Sequence, residues 1–222
     1  MSYTPALDER LAPRKAARQA RSLATVDAIL EAAAEVFERR GYAAATTNRI
    51  AERAGVAIGS LYQYFPNKDA ILVALTRQHL ADGMAVLTPH LERLNEGALW
   101  DDVLPDVVDA MVSMHAVAPM LHRSLFEETR LPRSLREELE TLEDALVDLT
   151  AQALAADPRS GPGDQRLAAS IVVNAIEGLT HRLVLRLPAG AGPNDVAREI
   201  TTLARAYIQA QRSAPDVAAG AR

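Results

Sequence analysis

Apolar residues recur along most of this chain at three- and four-residue spacings, and that period predicts helices throughout. From about Ser22 to Arg39, one continuous stripe is formed by Val26, Ile29, Leu30, Ala33, Val36 and Phe37, and Gly41 ends it. Two short patterns follow. In the first, Thr46 and Thr47 can cap a helix start, Ile50, Ala51 and Ala54 make one face, and Gly55 can take the left-handed turn that closes it. The second runs from about Ile58 to Phe65 after a tight Val56-Ala57 connection. Pro66 stops it, Asn67 can cap the next helix, and Asp69 suits that helix's positive end. The next helix reaches about Leu87 with Ile71, Leu72, Leu75, Leu80 and Val86 inward, and Pro89 to Gly97 reads as a loop or broken helix.

The remaining pattern predicts five further helices and a loop between the third and the fourth. A helix from about Asp101 to Ala118 carries Leu104, Val108, Met111 and His115 on one face, with Pro105 in its first turns. Pro119 to Thr129 is a short helix between prolines, and Leu135, Leu139, Leu142, Leu146 and Leu149 stripe a helix from about Pro132 to Ala156. Residues 157–164, DPRSGPGD, read as a plain loop. From about Gln165 to Leu187, Ala168, Val172, Ala175 and Leu179 lie on one side and Ile171, Asn174, Gly178, His181 and Leu185 on another. A helix apolar most of the way round must be buried on two sides. Val196, Ile200, Leu203 and Tyr207 align on the last helix.

Two helices of under ten residues joined by a glycine turn cannot fold alone; Val36 and Phe37 should pack beneath them. The arrangement is a helix-turn-helix, whose second helix enters the DNA major groove. Charge supports a division of labour. The net charge is −5, yet residues 1–68 hold 10 Lys+Arg against 7 Asp+Glu, and residues 69–222 hold 14 against 22. Positive charge therefore gathers where the helix-turn-helix lies. The expected domains are a basic arm over 1–21, a helix-turn-helix domain over 22–67, a helical regulatory and dimerisation domain over 68–212, and a disordered tail over 213–222. The arm, with Arg10, Arg14, Lys15, Arg18 and Arg21, reads either as a frayed terminus or as a source of phosphate or minor-groove contacts.

Composition removes several chemistries. With no cysteine there is no disulfide, thiolate metal site or cysteine nucleophile. No signal-peptide pattern opens the chain and no apolar run approaches ~18 residues, so a cytoplasmic protein without a membrane span is expected. There is no phosphate-cradling glycine loop, HExxH, nucleophile elbow or paired-histidine metal spacing, so no catalytic residue, cofactor or metal is expected. His115, His122 and His181 fall on separate helices and read as ordinary surface or core-edge histidines.

The run G-V-A-I-G-S-L-Y-Q-Y-F-P-N-K-D resembles the recognition helix and following helix start of TetR-type (tetracycline repressor-like) transcriptional regulators, and the likeness extends over residues 22–72. It implies an all-α fold: a three-helix DNA-binding domain, then a larger helical domain whose last two long helices make a four-helix dimer interface. Carried over position by position, the implied DNA-binding residues are Thr47, Asn48, Ile58, Gly59, Ser60, Tyr62, Tyr64 and Lys68. Thr47 would hold a phosphate at a helix N-terminus. Asn48 stands where related repressors often place a guanine-reading arginine, so its amide suits adenine instead. Ile58, Gly59 and Ser60 would face base edges, the two tyrosines and Lys68 the sugar-phosphate backbone. Tyr62 has a second reading, packing partly inside, and Arg49 and Arg53 read equally as solvated surface. Ala57 replaces the serine that frequently caps this recognition helix.

The resemblance also implies an apolar pocket with a few polar groups, for which Met111, Met114, His115, Phe126, Asn174, Glu177 and His181 are the candidate lining. Asn174 and Glu177 would bond across the dimer or point into that cavity. The functional expectation is a homodimeric repressor on a palindromic DNA operator, released by a small-molecule effector that is largely apolar, with the helix after the recognition helix as coupling element. A small helical enzyme and a protein-partner adapter are the alternatives.

Overall fold

A computed structural model describes residues 20–126, 132–159 and 163–213; the side chains of residues 20, 21 and 126 lie outside that description. The basic arm, the tail beyond Ser213 and the end of the helix expected to reach Thr129 therefore fall outside the described residues. Among those described, all regular structure is helical: α1 Ala20–Ala44, α2 Thr47–Ala54, α3 Ile58–Tyr64, α4 Lys68–Asn95, α5 Trp100–Val117, α6 Pro119–Phe126, α7 Arg133–Ala156, α8 Gln165–Leu185 and α9 Pro193–Ser213. The chain forms two compact units: residues 1–82 with 118–139, and residues 83–117 with 140–222. The division falls inside α4 and α7.

In the N-terminal unit, Ile29, Phe37, Ile50, Leu61, Phe65, Ile71 and Leu72 are almost wholly buried. Phe37 and Val36 do pack with Ile50, Ala51 and Leu61 in that core. Burying side chains of this size contributes roughly 1.5–3 kcal/mol each relative to exposure. Gly41 interrupts α1 with φ 70° and ψ 168°, a backbone region open essentially to glycine, and a last turn continues to Ala44. The start of α6 is held by the Glu38 carboxylate, which accepts from the Leu121 backbone N–H at 2.6 Å.

Two expectations for α4 change. The helix continues through Pro89 to Asn95 instead of breaking before it. Proline removes one N–H, but Ala85, whose carbonyl loses that donor, is exposed and keeps access to water. Val86 is 44% exposed, while Leu87 and Leu94 turn inward in its place.

The C-terminal unit is built on Trp100, Val103, Leu104, Val108, Val112, Val147, Leu154, Ala169, Val172, Ile176, Val196, Ile200 and Ile208. Helix α8 shows its buried stripe at Ala168, Ala169, Val172, Ile176, Thr180 and Val184, one position round from the expected Ala175 and Leu179. Its opposite face keeps Leu167 59% and Ile171 43% exposed, and Leu203 on α9 is 52% exposed. By length and composition α8 is long and apolar enough to cross a membrane, which the sequence reading had excluded. The core helix of a soluble protein passes the same test, and α8 packs on both α5 and α9.

The loop after α7 is not plain. Asp157 is 2% exposed and accepts from Arg159 at 2.7 Å and from Arg212 at 2.5 Å. Both arginines also reach Asp101, at 3.0 and 2.8 Å, so the start of α5 and the ends of α7 and α9 are clamped together. Arg159 bonding is the main reason the Asp157 carboxyl falls to about 2.

Candidate nucleic-acid interface and regulatory unit

The N-terminal unit places a short exposed helix on a rigid base. Thr46 caps α2, its Oγ1 accepting from Arg49 N at 3.3 Å. Gly55, at φ 67° and ψ 27°, ends it, and Val56 N donates back to the Ala51 carbonyl at 3.0 Å. Arg53 forms a bidentate pair with Glu35 of α1, at 2.7 and 2.6 Å, and Arg49 Nη1 donates to the Ala44 carbonyl at 2.6 Å. Both arginines therefore take part in holding α2 to its neighbours.

Helix α3 has no side-chain cap at Ala57. Its inward face is Leu61 and Tyr64, followed by Phe65 at the helix end; its outward face is Ile58, Gly59, Tyr62 and Gln63. Ser60 is half-buried between them. A Cβ at Gly59 would meet nothing within 4 Å, so the backbone there is open to close approach. The Tyr62 hydroxyl pairs with Thr47 Oγ1 at 3.0 Å, joining the N-terminus of α2 to the outer face of α3, and Asn48 beside it is exposed.

Two expected DNA contacts sit differently. Tyr64 is 7% exposed and its hydroxyl donates to Ser22 Oγ at 3.3 Å, so it belongs to the core. Lys68 donates to the carbonyls of Tyr42 at 2.7 Å and Ala45 at 3.2 Å, with its ammonium 3.9 Å from the centre of the Tyr42 ring. That cation is tied to the end of α1, whose Tyr42 hydroxyl in turn donates to Asp69. Burial and this bond push the Tyr42 phenol above its ordinary range. Asn67 caps α4 as expected, accepting from Ala70 N at 2.8 Å. Gln63 was passed over in the sequence; its position on the outward face, one residue beyond Tyr62, could have found it.

In the C-terminal unit the proposed lining separates. Met111, His115 and His181 come together: His115 Nδ1 lies 2.5 Å from the Met111 carbonyl, and its Nε2 lies 3.1 Å from His181 Nε2. Burial holds the His115 imidazole below its ordinary range, against the opposing pull of the Met111 bond. Glu177, half-buried on α8, is pushed up by burial and by Glu143. Met114 packs against Gly83 with a closest approach of 3.3 Å to that residue's would-be Cβ. Asn174 is exposed and donates to the Ser170 carbonyl at 3.0 Å. The Phe126 side chain lies outside the described residues. Sequence spacing gave no hint of the His115–His181 meeting, because the two are on different helices.

A helix-turn-helix whose second helix projects its outer face from a buried base, in a chain continuing into a separate helical unit, defines a helix-turn-helix transcriptional regulator. Residues 29–75 match the family described as bacterial regulatory proteins, tetR family. Residues 100–208 match the tetracyclin repressor-like C-terminal domain. The chain belongs to the TetR family. It is 36% identical over 76 residues to an uncharacterized HTH-type transcriptional regulator, YvkB, of Bacillus subtilis, covering 34% of this chain and 38% of that one. To the fatty acid metabolism regulator protein of the same organism it is 31% identical over 87 residues, 39% of this chain and 41% of that one. The chain thus spans about two fifths of the length of these relatives. The fold is similar to the Bacillus subtilis regulator FadR in complex with stearoyl-CoA, at TM-score 0.61 and 22% identity, covering 80% of this chain and 96% of that one.

Proposed function

We propose that this TetR-family regulator is a homodimeric repressor that binds a near-palindromic operator and is released by a largely apolar small molecule bound in its C-terminal unit. The observation carrying the DNA reading is the outward face of α3. Ile58 can pack on a thymine methyl, Gly59 admits the backbone to a base edge, and Gln63 has the donor–acceptor pair that suits adenine. Thr47 and Tyr62, already joined, would hold a phosphate at the start of α2. Asn48 and Ser60 flank that surface. Tyr64 and Lys68 act from behind it, by packing and by anchoring α4. The regulator works by binding, and catalysis has no part in this reading.

The dimer reading rests on α8 and α9. Leu167, Ile171 and Asn174 follow one another at helical spacing on a face this chain leaves exposed, with Leu203 exposed on α9. A Cβ at Gly178, one turn further, would meet nothing within 4 Å. A second copy would cover this face and set two recognition helices about 34–36 Å apart, one turn of DNA. The fold shared with a regulator described in complex with stearoyl-CoA supports an effector with a long apolar body. An effector that favours one dimer spacing over another by ~1–3 kcal/mol would release much of the DNA.

The deciding experiment selects binding sequences from random duplex DNA, then footprints the winner and the DNA flanking the gene at two salt concentrations. The expected result is a palindromic, salt-sensitive footprint held by a dimer. Purified protein with no affinity for any duplex would overturn the reading. Gln63→Ala should relax specificity at one base pair by about 1–3 kcal/mol, read by competition between operator variants.

A further inference from the structure

Helices α5 and α8 of the C-terminal unit bring two imidazoles to one point. His115 and His181 stand sixty-six residues apart in sequence, and their Nε2 atoms lie 3.1 Å apart. Ring centroids are 4.8 Å apart at an interplanar angle of 45°. That centroid spacing is shorter than a head-on meeting of two imidazoles would give, so the two rings meet at an angle. Two nitrogens bound to one tetrahedral ion at bonds of about 2.0–2.1 Å would be about 3.3 Å apart, close to what is seen.

The outer partner of His115 fits as well. Its Nδ1 lies 2.5 Å from the Met111 carbonyl, one helical turn back, and a carbonyl can only accept. Nδ1 therefore carries the proton, and Nε2 presents its lone pair toward His181. A ring whose far nitrogen donates to a backbone carbonyl is the usual second partner of a metal-bound histidine, fixing tautomer and orientation. His115 is 4% exposed, while His181 is half-buried.

We propose that His115 and His181 form a binding site for an imidazole-preferring divalent transition ion of the Zn²⁺, Ni²⁺ or Cu²⁺ class, with water completing the coordination. The 3.1 Å approach requires one proton between the two nitrogens when they bond to each other. The ion takes the place of that proton, which shifts to Nδ1 of His181, so both imidazoles bind in their neutral form through Nε2 and no net proton is released. Imidazole suits these ions better than Mg²⁺ or Ca²⁺, which take oxygen. The readout is metal uptake by the protein alone, so the site stands or falls separately from the operator reading.

The test titrates Zn²⁺ and Ni²⁺ by calorimetry into the chelator-washed full chain, and follows Cu²⁺ by its electron paramagnetic resonance. One ion per chain is expected, with Mg²⁺ giving no heat, and with nitrogen coupling to the Cu²⁺ signal. His181→Gln, at a half-buried position, should keep the thermal melting curve and weaken binding at least tenfold. His115→Gln should do the same where it folds. No uptake by the unaltered protein, or full affinity in His181→Gln, would each overturn the assignment.

Discussion

Single side chains decide how the surface proposed to face DNA is presented. Tyr62 and Tyr64 both lie on α3, yet residues two apart on a helix point to nearly opposite sides, so only one can face outward. Tyr62 takes that place, 40% exposed, and Tyr64 fills the core. Replacing Tyr62 with Ala should weaken binding to all duplexes and flatten the salt dependence, measured by titration at several ionic strengths, while Tyr64→Ala should chiefly lower the melting temperature. Lys68 is a second case: two carbonyls and an aromatic face surround a cation that its sequence position had marked for phosphate. Gly41 is a third. At φ 70° and ψ 168° any side chain is strained, so Gly41→Ala should cost about 1–3 kcal/mol in chemical denaturation.

At the scale of elements, caps and faces matter most. The caps of α2 and α4 were legible because Thr46, Gly55 and Asn67 are residue types with one strong local use each. Ala57 leaves α3 uncapped, as its side chain requires. Ala57→Ser should add about 0.5–2 kcal/mol to folding stability, read as a raised denaturation midpoint with the slope unchanged. Helix α4 shows the limit of local reading: proline at position 89 predicted a break, but an exposed proline costs a helix less than a buried one. Helix α8 had both faces marked as apolar by its pattern, and one face remains outside the chain's own core. On the proposed dimer, Ile171→Glu there should shift the protein to a monomer in analytical ultracentrifugation and remove operator binding, with helix content intact.

For the whole molecule, the Asp157 cluster ties three distant parts of the C-terminal unit together. Its carboxyl is lowered from the ordinary value to about 2 by the bond from Arg159, with Arg212 adding to it and Asp101 sharing both arginines. A lowered folded-state pKa stabilises the fold above the unfolded value near 3.8 and loses that contribution as pH falls through about 2. Because Arg159 is half open to water, the contribution is on the order of 1–2 kcal/mol. Denaturation midpoints should therefore fall between pH 4 and pH 2, and Asp157→Asn should remove most of that slope. Trp100, buried in the same unit, gives a fluorescence signal to follow it.

Local signals in the chain determined nine helices among the described residues, their class and the helix-turn-helix, because period, caps and breakers act within a few residues of one another. They also placed Val36 and Phe37 beneath the short helices, since one face of a helix must be buried. What the tertiary structure alone decided are pairings between residues far apart in sequence. It brought Asp157 to Arg212, Tyr62 to Thr47, Lys68 to the end of α1, and His115 to His181. Each depends on where two helices cross, and a crossing is set by the packing of whole side-chain surfaces, which no short stretch of sequence contains.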